Sequence, residues 1–136
     1  MADKPWKRVE REKCRELGGD RAGPTGRDTP DCVGLRVGLE IKYVKKYTFL
    51  TSYWEQAVEN AAKAGLPPVL AVKEAKRGGR DCVQLLATNW DQLRELAEAP
   101  PAARFAVPPD YRIGEFVRTP WSAFVWLYRG AYAVPN

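Results

Sequence analysis

The sequence predicts a mixed α/β domain in which a central mixed sheet is flanked by helices. Apolar residues recur at helical spacing near the N-terminus and again after residue 51. Short strand-like runs, bounded by Gly and Pro, lie between and after those helices. The chain has 136 residues, of which 45% are hydrophobic, and this is enough to bury one core. Together these observations give the order αβββαβ, followed by a strand, a helix and an aromatic C-terminal tail.

The first helix is predicted at residues 4–17, with Pro5 in its first turn and a Gly pair at 18–19 ending it. Projected at about 100° per residue, its apolar stripe consists of Trp6, Val9, Cys14 and Leu17. Glu10 projects into the middle of that stripe, where an unpaired charge would be costly. We therefore expect Glu10 to have a strong partner. A plain ion pair with Lys13, one turn on, is the alternative.

Strands and a second helix follow. Residues 20–30 are rich in Gly, Pro and Thr and are predicted to be a loop with one short strand at its start. Residues 31–33 and 37–44 are predicted to be two strands joined by a tight turn. The second helix is predicted to begin at Ser52, because Ser52 and Glu55 have the spacing of a capping box.

The next elements are two strands and a third helix. The strands are predicted at residues 68–73 and 82–87, on either side of a basic loop at 76–80. Asn89 is predicted to cap the third helix, which runs to about residue 98. This completes the αβββαβ order and leaves the last third of the chain outside it.

The last third changes character: two proline pairs punctuate a segment predicted to be irregular, and a short aromatic helix opens at Trp121. We divide the chain into a core at residues 1–99 and a C-terminal extension at 100–136. The aromatic residues of the extension are Phe105, Tyr111, Phe116, Trp121, Phe124, Trp126, Tyr128 and Tyr132. Aromatic residues are enriched at interfaces, so we expect a homodimer to which this tail contributes. Packing of the tail onto its own domain is the alternative.

Composition narrows the chemistry. The chain has no histidine, which excludes Ser-His and Cys-His catalysis and imidazole metal ligation. Carboxylates and carbonyls remain, and these suit Mg²⁺ or Mn²⁺. The net charge of +5 favours a polyanionic partner. The three cysteines lack CxxC spacing and are expected to be reduced, buried thiols. No apolar run is long enough for a membrane span, so we expect a cytoplasmic protein.

Asp31, Glu40 and Lys42 are predicted to converge on one patch. Side chains alternate along a strand, so Glu40 and Lys42 share a face while Ile41 points into the core. The tight turn places Asp31 beside Glu40, and neighbouring carboxylates raise each other's pKa unless a cation lies between them. A divalent metal ion would resolve that conflict and activate a water. The alternative is a solvated ion pair on an edge strand.

The sequence contains Thr29-Pro30-Asp31 and then Leu39-Glu40-Ile41-Lys42. This pair of segments resembles the signature of the PD-(D/E)XK nucleases. Ahead of it lie Glu10, Gly18-Gly19-Asp20-Arg21 and Thr25-Gly26. With these the chain is similar to the Holliday junction resolvases of archaea and bacteriophages, over roughly residues 6–87. The resemblance implies a restriction-endonuclease-like fold for the core at residues 1–99. It also implies an endonuclease that resolves four-way DNA junctions by paired phosphodiester hydrolysis.

Site roles also follow from the resemblance. The metal ligands would be Asp31, Glu40, the carbonyl of Ile41 and Glu10, holding Mg²⁺ or Mn²⁺. The catalytic set would be Glu10, Asp31, Glu40, Lys42 and Gln56, in which Lys42 orients the attacking water and stabilises transition-state charge. Thr25 stands where the family often has Ser. The expected DNA contacts are Arg8, Arg11, Arg15, Arg21, Thr25, Arg27, Lys45, Lys46 and Lys73.

The expected partner is branched double-stranded DNA rather than a small-molecule substrate. Two other functions stay open at this point. One is a different nuclease of the same superfamily, acting on flaps, mismatches or restriction sites. The other is a non-catalytic DNA-binding module. At the residue level, Gln56 is equally explained as a helix-surface residue, and the basic residues of the first helix and of loop 76–80 as solvated surface.

Overall fold

A computed structural model of the chain describes residues 4–22, 30–98 and 111–134. Its elements in chain order are α1 (Pro5–Glu16), β1 (Asp20–Arg21), β2 (Cys32–Val33), β3 (Gly38–Val44), α2 (Thr51–Ala64), β4 (Pro68–Glu74), β5 (Asp81–Leu86), α3 (Ala87–Leu96), β6 (Tyr111–Ile113), β7 (Phe116–Pro120) and α4 (Trp121–Tyr132). The first seven of these follow the predicted αβββαβ order and add the strand that was expected after it.

The central sheet has five strands in the order β3-β4-β5-β7-β6. β3 and β4 are parallel, and the remaining pairs are antiparallel. β1 and β2 form a separate two-stranded antiparallel ribbon. The prediction of an α/β fold with a mixed sheet flanked by helices is therefore confirmed.

Helices cover both faces of the sheet. α2 connects β3 to β4 and packs on them through Ala57, which contacts Leu70 and Val72. The other face carries the main core, in which α1, α3 and α4 bury side chains such as Leu17, Trp90 and Phe124. In the described residues, no helix is both long enough and apolar enough to cross a membrane.

Two predicted helix caps are wrong. α2 begins at Thr51 with Leu50 as its N-cap residue, and no side chain caps it, so the Ser52–Glu55 capping box does not form. α3 begins at Ala87, which places Asn89 inside the helix. The reason is that β5 runs directly into α3, and the Ala87 N–H donates to the Glu115 carbonyl of the neighbouring hairpin. Tertiary pairing therefore fixes this helix start.

The segment before Trp121 was predicted to be irregular, and this is wrong for residues 111–120. β6 and β7 form a hairpin there, and β7 pairs with β5, so the sheet gains two strands. Residues 99–110 lie outside the described residues, and the predicted boundary between 99 and 100 falls in that segment. The hairpin was missed because much of its support comes from β5, a distant segment.

The aromatic tail packs largely on its own chain. Trp121, Phe124 and Tyr128 are buried in the main core, and α4 lies against α3 and β5. These three side chains are therefore not available to a partner, which corrects their predicted place in a dimer interface. Phe105 and the side chain of Tyr111 lie outside the described residues. The homodimer itself stays a prediction.

The prediction of three reduced cysteines is also wrong. Cys14 of α1 and Cys32 of β2 form a disulfide with a Cα–Cα distance of 5.4 Å. Both residues are buried, and Cys82 is the free cysteine. Spacing alone could not reveal this pair, because the two residues meet only when α1 packs against the β1–β2 ribbon. The bond joins α1 to the segment that carries Asp31.

Candidate functional site

Asp31 is held against β3 by two hydrogen bonds. Its backbone N–H donates to the Leu39 carbonyl at 2.9 Å. Its carboxylate Oδ2 accepts the backbone N–H of Ile41 at 2.6 Å. Because the two bonds span Leu39 and Ile41, Asp31 lies alongside Glu40, the residue between them.

Glu40 points to the α2 side of the sheet and is only 4% exposed, so it is not a solvated surface carboxylate. Its Oε1 accepts a hydrogen bond from Asn60 of α2 at 3.2 Å. Its Oε2 lies 3.5 Å from the Lys42 ammonium, two residues on and on the same face. The buried Glu40 carboxylate is therefore held between the side-chain amide of Asn60 and the ammonium of Lys42.

Lys42 is positioned by α2. Its ammonium donates to Gln56 Oε1 at 2.6 Å and lies 5.4 Å from the centre of the Tyr53 ring. Gln56 is thus in contact with the candidate site, although it is an exposed residue. The side chain of Lys42 is 22% exposed, so it is accessible from solvent.

Glu10 reaches this region from α1. Its carboxylate accepts a hydrogen bond from Arg21 Nε at 3.0 Å, and its side chain is 14% exposed. The alternative partner Lys13 is engaged elsewhere: it bonds Asp81 at 2.7 Å and lies 4.0 Å from the centre of the Trp121 ring. The Glu10–Lys13 ion pair is therefore ruled out.

The pKa values of two carboxyl groups at the site, Asp31 and Glu10, are shifted in the same direction: both are raised. Burial, followed by the charge of Glu40, raises the pKa of Asp31 to about 8, and the charge of Glu10 adds to this. Burial also raises the pKa of Glu10, against the opposing effects of its hydrogen bond and ion pair with Arg21. Lys42 offsets only part of the negative charge. Burial is therefore the main cause of the raised pKa values, and repulsion between the carboxylates adds to it.

The carboxylates of Glu10, Asp31 and Glu40 accept hydrogen bonds from donors of the chain itself. Within residues 4–22, 30–98 and 111–134, no three His, Cys, Asp or Glu side chains are arranged so that together they could hold a metal ion. The carboxylates nevertheless fit Mg²⁺ in kind, because the side-chain oxygens of Glu10, Asp31 and Glu40 are hard ligands. The repulsion between Asp31 and Glu40, which adds to the raised pKa of Asp31, is the condition that a divalent cation relieves.

The predicted DNA contacts are spread over several surfaces. Arg8 and Arg15 are exposed on α1, and Lys45 and Lys46 are exposed just after β3. Arg11 is partly buried on α1. Arg21 is the partner of Glu10 and also lies 5.5 Å from the centre of the Trp6 ring. Lys73 alternates with Val72 and faces the α1 side of β4, away from Lys42. Thr25 and Arg27 lie outside the described residues.

Sequence reasoning missed Asn60 and Tyr53. Asn60 binds the buried Glu40, and Tyr53 flanks Lys42. The signal was present, because Tyr53, Gln56 and Asn60 recur at spacings of three and four residues and so share one face of α2. That polar edge lies beside the apolar stripe that packs on the sheet.

Comparison with known proteins adds no further information: no family model matches this chain, and no curated protein or solved structure matches it.

Proposed function

We propose that this chain is a Mg²⁺-dependent, structure-selective DNA endonuclease that resolves four-way junctions. The observation that carries the proposal is the pairing of Asp31 with Ile41, which brings Asp31 beside Glu40 while Lys42 shares the Glu40 face. A Pro-Asp segment set against a Glu-Ile-Lys strand is the arrangement that the PD-(D/E)XK resemblance anticipates.

The architecture supports a restriction-endonuclease-like core. β3 carries the candidate residues, α2 returns the chain, and β4 lies parallel to β3. α1 approaches the same end of the molecule with Glu10. The carboxylates therefore come from three separate segments, which meet only in this fold.

The metal ligands in this proposal are Asp31, Glu40, the carbonyl of Ile41, and Glu10 directly or through a water. When bound, Mg²⁺ or Mn²⁺ would stabilise the negative charge that develops on the phosphate and favour ionisation of an attacking water. Participation of Glu10 would exchange its bond to Arg21 for one to the ion.

Lys42 is the proposed general acid–base and electrostatic residue. Its ammonium is held between Glu40 and Gln56, at 3.5 and 2.6 Å, which fixes its direction before substrate arrives. A lysine so placed can orient the attacking water and stabilise the charge of the transition state. Gln56 acts through Lys42 and is a positioning residue.

The basic surface supports a DNA partner. Exposed Arg8, Arg15, Lys45 and Lys46 can neutralise phosphates, and such contacts position a duplex without reading its bases. A four-way junction has approximate two-fold symmetry, and its resolution requires two matched nicks. We therefore propose that the protein acts as a homodimer.

A non-catalytic DNA-binding module is the second candidate. One observation favours it: Glu10, Asp31 and Glu40 each accept a hydrogen bond from the protein itself. Such a site could be a stable polar cluster that needs no metal ion.

A nicking assay separates the two candidates. The substrates are a synthetic four-way junction and a linear duplex, each with and without Mg²⁺. We expect Mg²⁺-dependent cutting of the junction, reduced on the order of 10²–10³-fold by Glu40→Gln. Glu59→Gln, a substitution on the exposed surface of α2, is the matched control and should cut normally. Full activity in EDTA or in Glu40→Gln would contradict the nuclease proposal, and binding without cutting would favour the second candidate.

A further inference from the structure

A cavity of about 440 Å³ lies where β3 ends and α2 begins. Its lining residues are Val44, Lys45, Lys46, Thr48, Leu50 and Tyr53. This volume is within the range that small-molecule and cofactor sites occupy. The cavity is adjacent to the candidate site, because Tyr53 lines it and also lies 5.4 Å from Lys42.

The lining combines two chemistries. Lys45 and Lys46 are exposed and basic, and Thr48 adds a hydroxyl. Val44, Leu50 and Tyr53 supply apolar and aromatic surface. The lining residues include no carboxylate, so an anion entering here meets only positive charge or neutral groups. An aromatic side chain beside cationic groups is a combination by which proteins hold single nucleotides of an unpaired strand.

We propose that this cavity binds one unpaired nucleotide of a DNA strand, with its base against Tyr53 and its phosphate at Lys45 and Lys46. The proposal rests on the nuclease function, because it places that nucleotide beside the bond approached by Lys42. A phosphate alone would leave the apolar wall of Val44 and Leu50 without a partner. A base that remains stacked in a duplex cannot enter such a cavity.

The consequence concerns substrate choice. Taking a nucleotide out of a stack is least costly where pairing is already interrupted, as at a branch point. The cavity would therefore contribute to structure selectivity on the same side of the sheet as Lys42. Selectivity would then need no base-specific hydrogen bonds.

The test is a binding measurement in EDTA, by fluorescence anisotropy, so that no metal-dependent cutting interferes. The two probes are an oligothymidylate hexamer and a hexamer of the same length whose central residues are abasic. Wild-type protein should bind the thymidylate probe more tightly. Tyr53→Leu should remove roughly 5- to 100-fold of that affinity and leave abasic binding unchanged, whereas Tyr53→Phe should retain it.

Controls separate stacking from charge and from misfolding. Tyr43→Ala removes an aromatic ring from β3, on the face of the sheet opposite Lys42 and α2, and should keep the preference. Lys45→Ala should weaken both probes equally and reduce the slope of log affinity against log salt by about 0.7. Melting temperatures show whether each variant is folded, and Tyr53→Leu keeps the apolar bulk that packs near Leu70 and Val72.

The outcomes are distinct from those of the nicking assay. Equal binding of the two probes by wild-type protein, or an unchanged preference in Tyr53→Leu, overturns the nucleotide cavity even if junctions are cut. A Tyr53-dependent preference in a protein that never cuts DNA supports the cavity while contradicting the nuclease.

Discussion

Two charged clusters in this molecule use the same kinds of residue and share α1, yet they differ in how well their positive and negative charges balance. The first is the ion pair of Lys13 and Asp81, in which Lys13 is only 3% exposed. The carboxylate cluster consists of Glu10, Asp31 and Glu40 with Lys42 and Arg21. The pair has one charge of each sign, whereas the cluster sets three carboxylates against two cations.

The pKa values of Lys13 and Asp31 reflect this difference in charge balance. Burial lowers the pKa of Lys13, and its bond to Asp81 opposes that shift, so the pair compensates its own desolvation in part. In the carboxylate cluster, burial and like charge both raise the pKa of Asp31. A balanced pair is typical of a structural contact, and an unbalanced cluster is typical of a ligand site.

Substitutions on α1 test this contrast most strongly. Glu10→Gln should lower junction nicking about 10²-fold if Glu10 serves the metal site, while the melting temperature changes little. Lys13→Met should leave nicking intact and lower the free energy of unfolding by about 2–3 kcal/mol, because it strands Asp81 and removes the Trp121 contact.

Glu12→Gln, at an exposed position of the same helix, is the control for both measurements. If Glu10→Gln destabilises the fold and leaves nicking normal, Glu10 and Arg21 form a structural ion pair and the contrast between the clusters disappears.

The disulfide offers a second test of the difference between the two clusters. Cys14 lies one turn after Glu10, and Cys32 follows Asp31 directly, so the bond joins the two segments that bring carboxylates to the cluster. The double variant Cys14→Ala/Cys32→Ala should lose about 2–3 kcal/mol of stability, given that the cysteines are 18 residues apart in sequence. It should also need more Mg²⁺ for half-maximal nicking, because α1 is less firmly held.

Cys82→Ala removes the free thiol and is the matched control for that variant. An unchanged Mg²⁺ requirement in the folded double variant would restrict the bond to a purely structural role.

The sequence predicted the elements up to residue 87 because their signals are local. The α1 stripe, the glycines that follow α1 and α2, and the alternation around Glu40 are all encoded within a few neighbouring residues. The convergence of Asp31 and Glu40 was also within reach, since only a short segment separates Asp31 from β3. These predictions depended on no contact from a distant part of the chain.

What the sequence did not predict depends on distant contacts. The hairpin of β6 and β7 is supported by β5, and the Cys14–Cys32 bond forms only after α1 packs on the ribbon. The start of α3 is likewise set by the hairpin through Glu115. The polar edge of α2 marks Asn60 locally, but its pairing with Glu40, 20 residues earlier, could not be predicted from that edge.

The smallest expected effect concerns Asp31 in the absence of metal. Its pKa in the folded protein is about 8, against an ordinary value near 4 in the unfolded chain. Between these values the folded state binds more protons than the unfolded state, so stability should fall as the pH rises from about 4 to 8. Asp31→Asn removes the titrating charge and can still accept the Ile41 N–H, so the metal-free variant should be more stable than wild-type protein at pH 8. Thermal melts of both proteins in EDTA across this range measure the difference.

Asp91→Asn, at an exposed site, should leave the pH profile unchanged. Mg²⁺ should raise the melting temperature of wild-type protein and not that of Asp31→Asn, since a ligand stabilises only the state that binds it. Identical pH profiles for wild type and Asp31→Asn would mean that Asp31 is already compensated, as Lys13 is by Asp81.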